Sequence, residues 1–208
     1  CNITCQNCYM DSSPTNDRLA YMTTAEVKWY LDEIEGESLP VEEIAFTGGE
    51  PFMNRDLPDM IEAALERGFG VLVLTNAMLP MLHKRPRLLE IFKRHGRALT
   101  LRVSIDHFTR EKHEAVRGEN SWAPMIKGLR WLAENGFRIT VAGRTCWDES
   151  ETEARRGYGE LFATERIPVD AHDPASLVLF PEMDAALDVP EITIHCWDIL
   201  GVAPETMI

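Results

Sequence analysis

At 208 residues, 45% hydrophobic and 26% charged, the chain has apolar material for one sizeable domain, and no apolar run reaches the roughly 18 residues a membrane helix needs. Its formal net charge of -13, from 34 acidic against 21 basic side chains, would repel a phosphate backbone and argues against nucleic acid as a substrate. Five cysteines, three of them crowded together, do not make the spaced pairs of a secreted disulfide scaffold and point to thiolate chemistry in a reducing, cytoplasmic compartment.

The first stretch, CNITCQNCYM, sets Cys1, Cys5 and Cys8 in a CxxxCxxC spacing. After it, TTAEVKWYLDEIEG predicts an amphipathic helix, with a Thr cap, apolar Val27, Tyr30, Leu31 and Ile34 at helical spacing, and Gly36 as its stop. VEEIAF predicts a short strand that runs into TGGEP, Thr47 to Pro51, and DLPDMIEAALERG a helix through Met60, Ile61, Ala64 and Leu65. The beat repeats. GVLVLTN is an apolar strand, RLLEIFKRHG a helix closed by Gly96, and LTLRVSID another strand. SWAPMIKGLRWLAENG predicts a helix capped by Ser121 and stopped by Gly136, FRITVAGR a further strand, Glu151 to Thr164 a polar helix, and SLVLF a last strand.

Alternating strands and helices at this spacing imply an α/β fold built from parallel βαβ units, as a barrel or an open wound sheet. Residues 1–180 carry that pattern. From 181 to 208 it loosens, with three prolines, and the segment reads as a last element or the start of a further module. Ligands in such folds sit at the carboxyl ends of the strands. Four sets of residues fall there: Thr47 to Pro51, Thr75 with Asn76, Ser104 with Asp106, and Gly143 with Arg144.

Three thiolates can hold three corners of a [4Fe-4S] cube and leave one iron open for chemistry. Zinc competes for thiolates, but a structural zinc site closes a tetrahedron with four ligands. Asp11 is the nearest candidate for a fourth, and His83 lies far along the chain.

CxxxCxxC, followed some forty residues on by a strand entering TGGEP, resembles the radical S-adenosylmethionine (radical SAM) superfamily. The resemblance implies a partial (β/α)6 barrel with the cluster at its mouth and the first barrel strand upstream of Cys1. It implies a [4Fe-4S] cluster on Cys1, Cys5 and Cys8 and S-adenosylmethionine chelated by the open iron. It further implies reductive cleavage to a 5′-deoxyadenosyl radical that abstracts hydrogen from a substrate, either a peptide or protein or a small molecule. A small electron-donor protein of flavodoxin or ferredoxin type would supply the electron. Gly48, Gly49 and Glu50 would hold the amino end of the cofactor, and Ser104 with Arg117 its carboxylate. Asn76 would lie near cofactor or substrate, although Ala77 follows it where relatives carry glycine. Arg144 projects to the same rim, toward ribose or substrate or into a surface ion pair. Asn7 precedes the third cysteine where relatives carry an aromatic residue, which instead follows here as Tyr9. Cys146 and Cys196 both precede Trp-Asp and read by default as buried small hydrophobes. Cys196, beside His195, also stands where a C-terminal extension with further clusters would begin. The alternative to an enzyme is a non-catalytic metal-binding module, with zinc or an iron–sulfur group.

Overall fold

Five strands, β1 (Glu43–Phe46), β2 (Gly70–Thr75), β3 (Leu99–Ser104), β4 (Arg138–Thr145) and β5 (Leu177–Pro181), lie parallel in the order β1-β2-β3-β4-β5. The computed structural model describes residues 1–8, 10–16, 20–145 and 147–181. Tyr9, Cys146, His195, Cys196 and the expected terminal segment from residue 182 on lie outside the described residues.

A doubly wound sheet reverses its strand order at a switch point, whereas this order never reverses. Every crossover therefore returns on the same side, which is how a barrel is laid down. The registers bear this out. Val73 lies beside Leu101, Val103 beside Val141, and Val141 beside Leu177, all fully buried, so one face of the sheet is uniformly apolar. That face shares a single hydrophobic core with the helices. Ile61, Ala64 and Leu65 come from α2 (Leu57–Glu66), and Leu88 and Ile91 from α4 (Arg85–His95). Leu129 and Leu132 come from α6 (Trp122–Glu134), and Tyr158 and Phe162 from α7 (Glu151–Glu165). The opposite face is different. Thr100, Arg102 and Ser104 alternate along β3 beside Thr140 and Ala142 of β4, so the side away from the helices carries polar side chains on these strands, while β2 gives it Leu72 and Leu74.

Helix ends follow local chemistry. The first helix, α1 (Thr24–Gly36), carries a full capping box between Thr23 and Glu26, and α7 another between Ser150 and Glu153. Gly36 is the last helical residue of α1 rather than its stop, and Ser38 makes the turn at φ 53°. Ser121 precedes α6 but does not cap it. Its hydroxyl donates back to the Gly118 carbonyl at 2.7 Å, and the Glu114 carboxylate accepts from the Trp122 N–H at 3.2 Å in its place. Two helices, α3 (Leu79–His83) and α5 (Arg110–Arg117), occupy stretches the sequence pattern leaves without an element.

Candidate functional site at the strand rim

The carboxyl ends of β1 to β4 carry the cysteine loop, the TGGEP turn, the Thr75–Asn76 corner and the Ser104–Asp106 corner, and contacts tie them into one rim. The cysteine loop is fastened at two places. On one side Gln6 N–H donates to the carbonyl of Val116 at 2.8 Å, so the loop is pinned to the C-terminal turn of α5. On the other, Gly49 lies against Cys1 and Ser12: a Cβ at Gly49 would overlap the Ser12 hydroxyl and come within 3.0 Å of Cys1 Cβ. Only glycine permits that approach. Its neighbour Gly48 sits at φ 137°, a conformation L side chains rarely adopt.

Glu50 secures the turn to the sheet. Its carboxylate, 2% exposed, accepts from Thr75 Oγ1 at 2.8 Å, Asn76 N–H at 2.8 Å and Phe52 N–H at 3.2 Å. Burial pushes this carboxyl up, against the pull of those three hydrogen bonds. Its oxygens are thus engaged by the protein itself. Asn76 extends the link to the cysteine loop, since its Nδ2 donates to Asn2 Oδ1 at 2.9 Å while its Oδ1 accepts from Met78 N–H at 3.0 Å. Ala77, next to it, is fully buried at φ 56°, so an alanine occupies backbone that favours glycine.

Arg117 and Arg144 share one carboxylate. Arg117 meets Asp106 with its Nε at 2.6 Å and Nη2 at 3.3 Å, a forked pair, and Arg144 Nε approaches the same group at 3.3 Å. Asp106 is 3% exposed, and two guanidiniums on one carboxylate leave a single positive charge in excess beside the cysteine loop. Burial pushes the Cys5 thiol up, and Arg117 pulls it back down. Ser104 is half-buried on the inner face of the same strand end and makes no side-chain hydrogen bond among the described residues.

Cys1, Cys5 and Cys8 are free and half-buried, and among the described residues no three His, Cys, Asp or Glu side chains are grouped as a metal site. Asp11 and His83, the candidate fourth ligands for zinc, are no exception. The loop nevertheless fits an iron–sulfur cube by its donor chemistry: three thiols, no fourth, a cationic pair of arginines beside Cys5, and backbone anchors on both flanks. Gathering ligands is work that metal–sulfur bonds themselves do on binding.

Sequence reasoning placed Asp106 on the rim without giving it a role, and missed Asn2 and Ser12 altogether. The Ser-x-Asp at the end of β3 was the available signal for Asp106; nothing in the sequence marks Asn2 or Ser12, whose partners are remote along the chain.

The family model of the Radical SAM superfamily matches residues 1–154. The subtilosin biosynthesis protein AlbA of Bacillus subtilis is 29% identical over 143 residues, 68% of this chain and 30% of AlbA. Fe-coproporphyrin III synthase of Methanosarcina barkeri is 29% identical over 169 residues, 81% of this chain and 40% of that protein. The chain thus spans less than half the length of these relatives. Among solved structures, Streptococcus suis SuiB bound to S-adenosylmethionine superposes with a TM-score of 0.68 at 17% identity, covering 89% of this chain and 39% of SuiB.

Proposed function

Because the chain belongs to the radical SAM superfamily, we propose that its cysteine loop holds a [4Fe-4S] cluster through Cys1, Cys5 and Cys8 and that the whole protein is a radical SAM enzyme. The observation that carries this reading is the seating of the CxxxCxxC loop against both the GGEP turn, through Gly49, and the end of α5, through Gln6 and Val116. When bound and reduced, the cluster supplies the electron that cleaves S-adenosylmethionine to a 5′-deoxyadenosyl radical.

The residues of this chain have separable tasks in that scheme. Gly48 and Gly49 leave the turn open so that its main chain can approach the cofactor's amino group, and Glu50 keeps the turn in place from below. Ser104 offers a hydroxyl at the rim. Arg117, with Nη1 not spent on Asp106, takes the cofactor carboxylate; Asp106 fixes the plane of that guanidinium and of Arg144. Asn76 orients the start of the cysteine loop through Asn2. A small electron-transfer protein, flavodoxin or ferredoxin in type, delivers the electron, in the reducing cytoplasm where free thiols persist.

For substrate, we favour a peptide. SuiB has been solved bound to its precursor peptide SuiA, and mycofactocin maturase MftC of Mycobacterium tuberculosis is 28% identical over 174 residues, which supports a maturase-like role. Relatives that are small-molecule enzymes, such as GTP 3′,8-cyclase, make the alternative substrate class for the same chemistry.

The test is anaerobic reconstitution of the full-length protein with iron and sulfide, followed by reduction in the presence of S-adenosylmethionine. Release of 5′-deoxyadenosine is expected, with Cys5→Ser abolishing both the cluster's absorbance and the product. Zinc without iron in the anaerobically purified protein, or undiminished product from Cys5→Ser, would sink the assignment.

A further inference from the structure

The inner face of the sheet carries a guanidinium that meets no counter-charge among the described residues. Arg102 projects from the middle of β3 on the side away from the helices, with Leu74 of β2 and Thr140 of β4 on either flank at the same level. Its Nε donates to Thr140 Oγ1 at 3.1 Å, which fixes the plane of the guanidinium and leaves both Nη groups uncommitted. The other half-buried arginines among the described residues, Arg67, Arg87, Arg117, Arg144 and Arg155, each meet a carboxylate. Arg102 meets none. A half-buried cation without a partner is disfavoured by desolvation, so retaining it asks for a reason.

Its surroundings supply one. The interior of a closed eight-stranded barrel is filled by bulky branched side chains. Here Thr100, Arg102 and Thr140, with Leu72 and Leu74 of β2 beside them, line the corresponding face below the rim that Ser104 and Asp106 occupy. With a guanidinium and two threonines on β3 and β4, this part of the face is not a dry apolar plug. It makes a wall for a polar ligand reaching inward from the rim.

We propose that Arg102 is a substrate-anchoring residue, whose free fork binds an anionic group, carboxylate or phosphate, on the molecule that enters the barrel beneath the cofactor. The proposal rests on the radical SAM reading for the identity of that molecule as substrate, and on this chain's own geometry for the anion. Thr140 sets the direction of the fork, so the anion meets two parallel N–H donors at a fixed depth. The distance from that anchor to the rim then selects which hydrogen of the substrate faces the radical.

The experiment uses the reconstituted full-length protein with S-adenosylmethionine and no reductant. Phenylglyoxal labelling of arginines is followed by mass spectrometry, with glutarate and inorganic phosphate as probes. Protection of Arg102 by a probe is expected, while exposed Arg138 on the next strand labels at an unchanged rate. Protection by glutarate alone identifies a carboxylate ligand, and by phosphate alone a phosphate ligand. In parallel, each probe should raise the thermal midpoint of the wild type, Arg102→Gln should weaken probe binding about tenfold, and Arg102→Lys should retain part of it. Equal midpoint shifts in wild type and Arg102→Gln, or no protection and no shift with either probe, overturn the proposal. Failure to form 5′-deoxyadenosine is a separate result that sinks the radical reading and leaves this binding measurement standing.

Discussion

His113 is a buried histidine that the rim chemistry does not use, and its environment makes it a sensor of acid. It is fully buried on α5 against Trp122, with ring centroids 5.4 Å apart, and neither ring nitrogen has a hydrogen-bond partner. Burial lowers its pKa to about 4, with the Arg117 charge adding to the effect and Asp106 and Glu114 opposing it. The folded state therefore keeps His113 neutral while the unfolded chain, titrating near 6.5, takes up a proton first. Stability from this group is complete above about pH 6.5 and is lost as pH falls toward 4, a displacement corresponding to about 3 kcal/mol. His107 contributes in the same direction: burial lowers it despite the Glu149 carboxylate that accepts from its Nε2 at 3.0 Å. We expect urea midpoints of the wild type to fall between pH 7 and pH 4.5, and His113→Phe to lose a large part of that fall. An unchanged pH dependence in His113→Phe would show that the ring finds a proton acceptor when charged.

At the scale of elements, the close approach of α6 to the β2 corner is the most demanding contact. Gly128 faces the backbone of Ala77, and a Cβ there would overlap the Ala77 carbonyl oxygen and lie 3.2 Å from Ala77 Cβ. Gly128→Ala is therefore expected to destabilise by about 1–3 kcal/mol through overpacking, read as a lower thermal midpoint. The same push falls on Asn76 and its bond to Asn2, so cluster content after reconstitution should fall as well; retention of both would mean the corner shifts freely. Neither half of this contact was legible in the sequence. Gly128 sits inside an apolar helical pattern that predicts α6 correctly without it, and Ala77 shows only as an alanine where relatives carry glycine. Strands and the long helices were legible because their apolar periods face a single core, as in GVLVLT and in Ile61, Ala64 and Leu65. The helix α5 was not, since REKHEAVR buries His113 as its one buried residue and owes its place to the Asp106 pair and the Val116–Gln6 bond. The short α3, opened by Met78 without a side-chain cap, gives no signal either. In the site, cysteines and glycines announce themselves by spacing; the Asp106 hub and the Asn76–Asn2 link join residues far apart in sequence and appear only once the sheet brings the strand ends together.

Across the described residues, burial falls from the middle of the sheet to β1, and the rim straddles that gradient. In β3, Leu99, Leu101 and Val103 are fully buried between two paired neighbours. In β1 no residue is fully buried, and α1 buries only Val27 and Leu31, with Ile34 partly covered, while Trp29 and Tyr30 are exposed. Within residues 1–208, local opening should therefore begin at β1 and α1 and reach the centre only on global unfolding. The TGGEP turn leaves β1 directly, so that opening lifts it from the cysteine loop at Gly49 and from Thr75 and Asn76 at Glu50. Amide hydrogen exchange of residues 1–208 is expected to show protection in Glu43–Phe46 weaker than in Leu99–Ser104 by about tenfold or more, with β2 between them. Gly49→Ala, which displaces the Ser12 hydroxyl and presses on Cys1, should widen the difference by accelerating exchange in β1 while leaving β3 unaltered. Cluster binding should narrow it, because the loop then bridges the turn after β1 and the end of α5, which pairs with the β3 corner through Asp106. Uniform protection across β1 to β3 would show instead that the sheet opens as one unit and that the turn and the cysteine loop separate only when the core does.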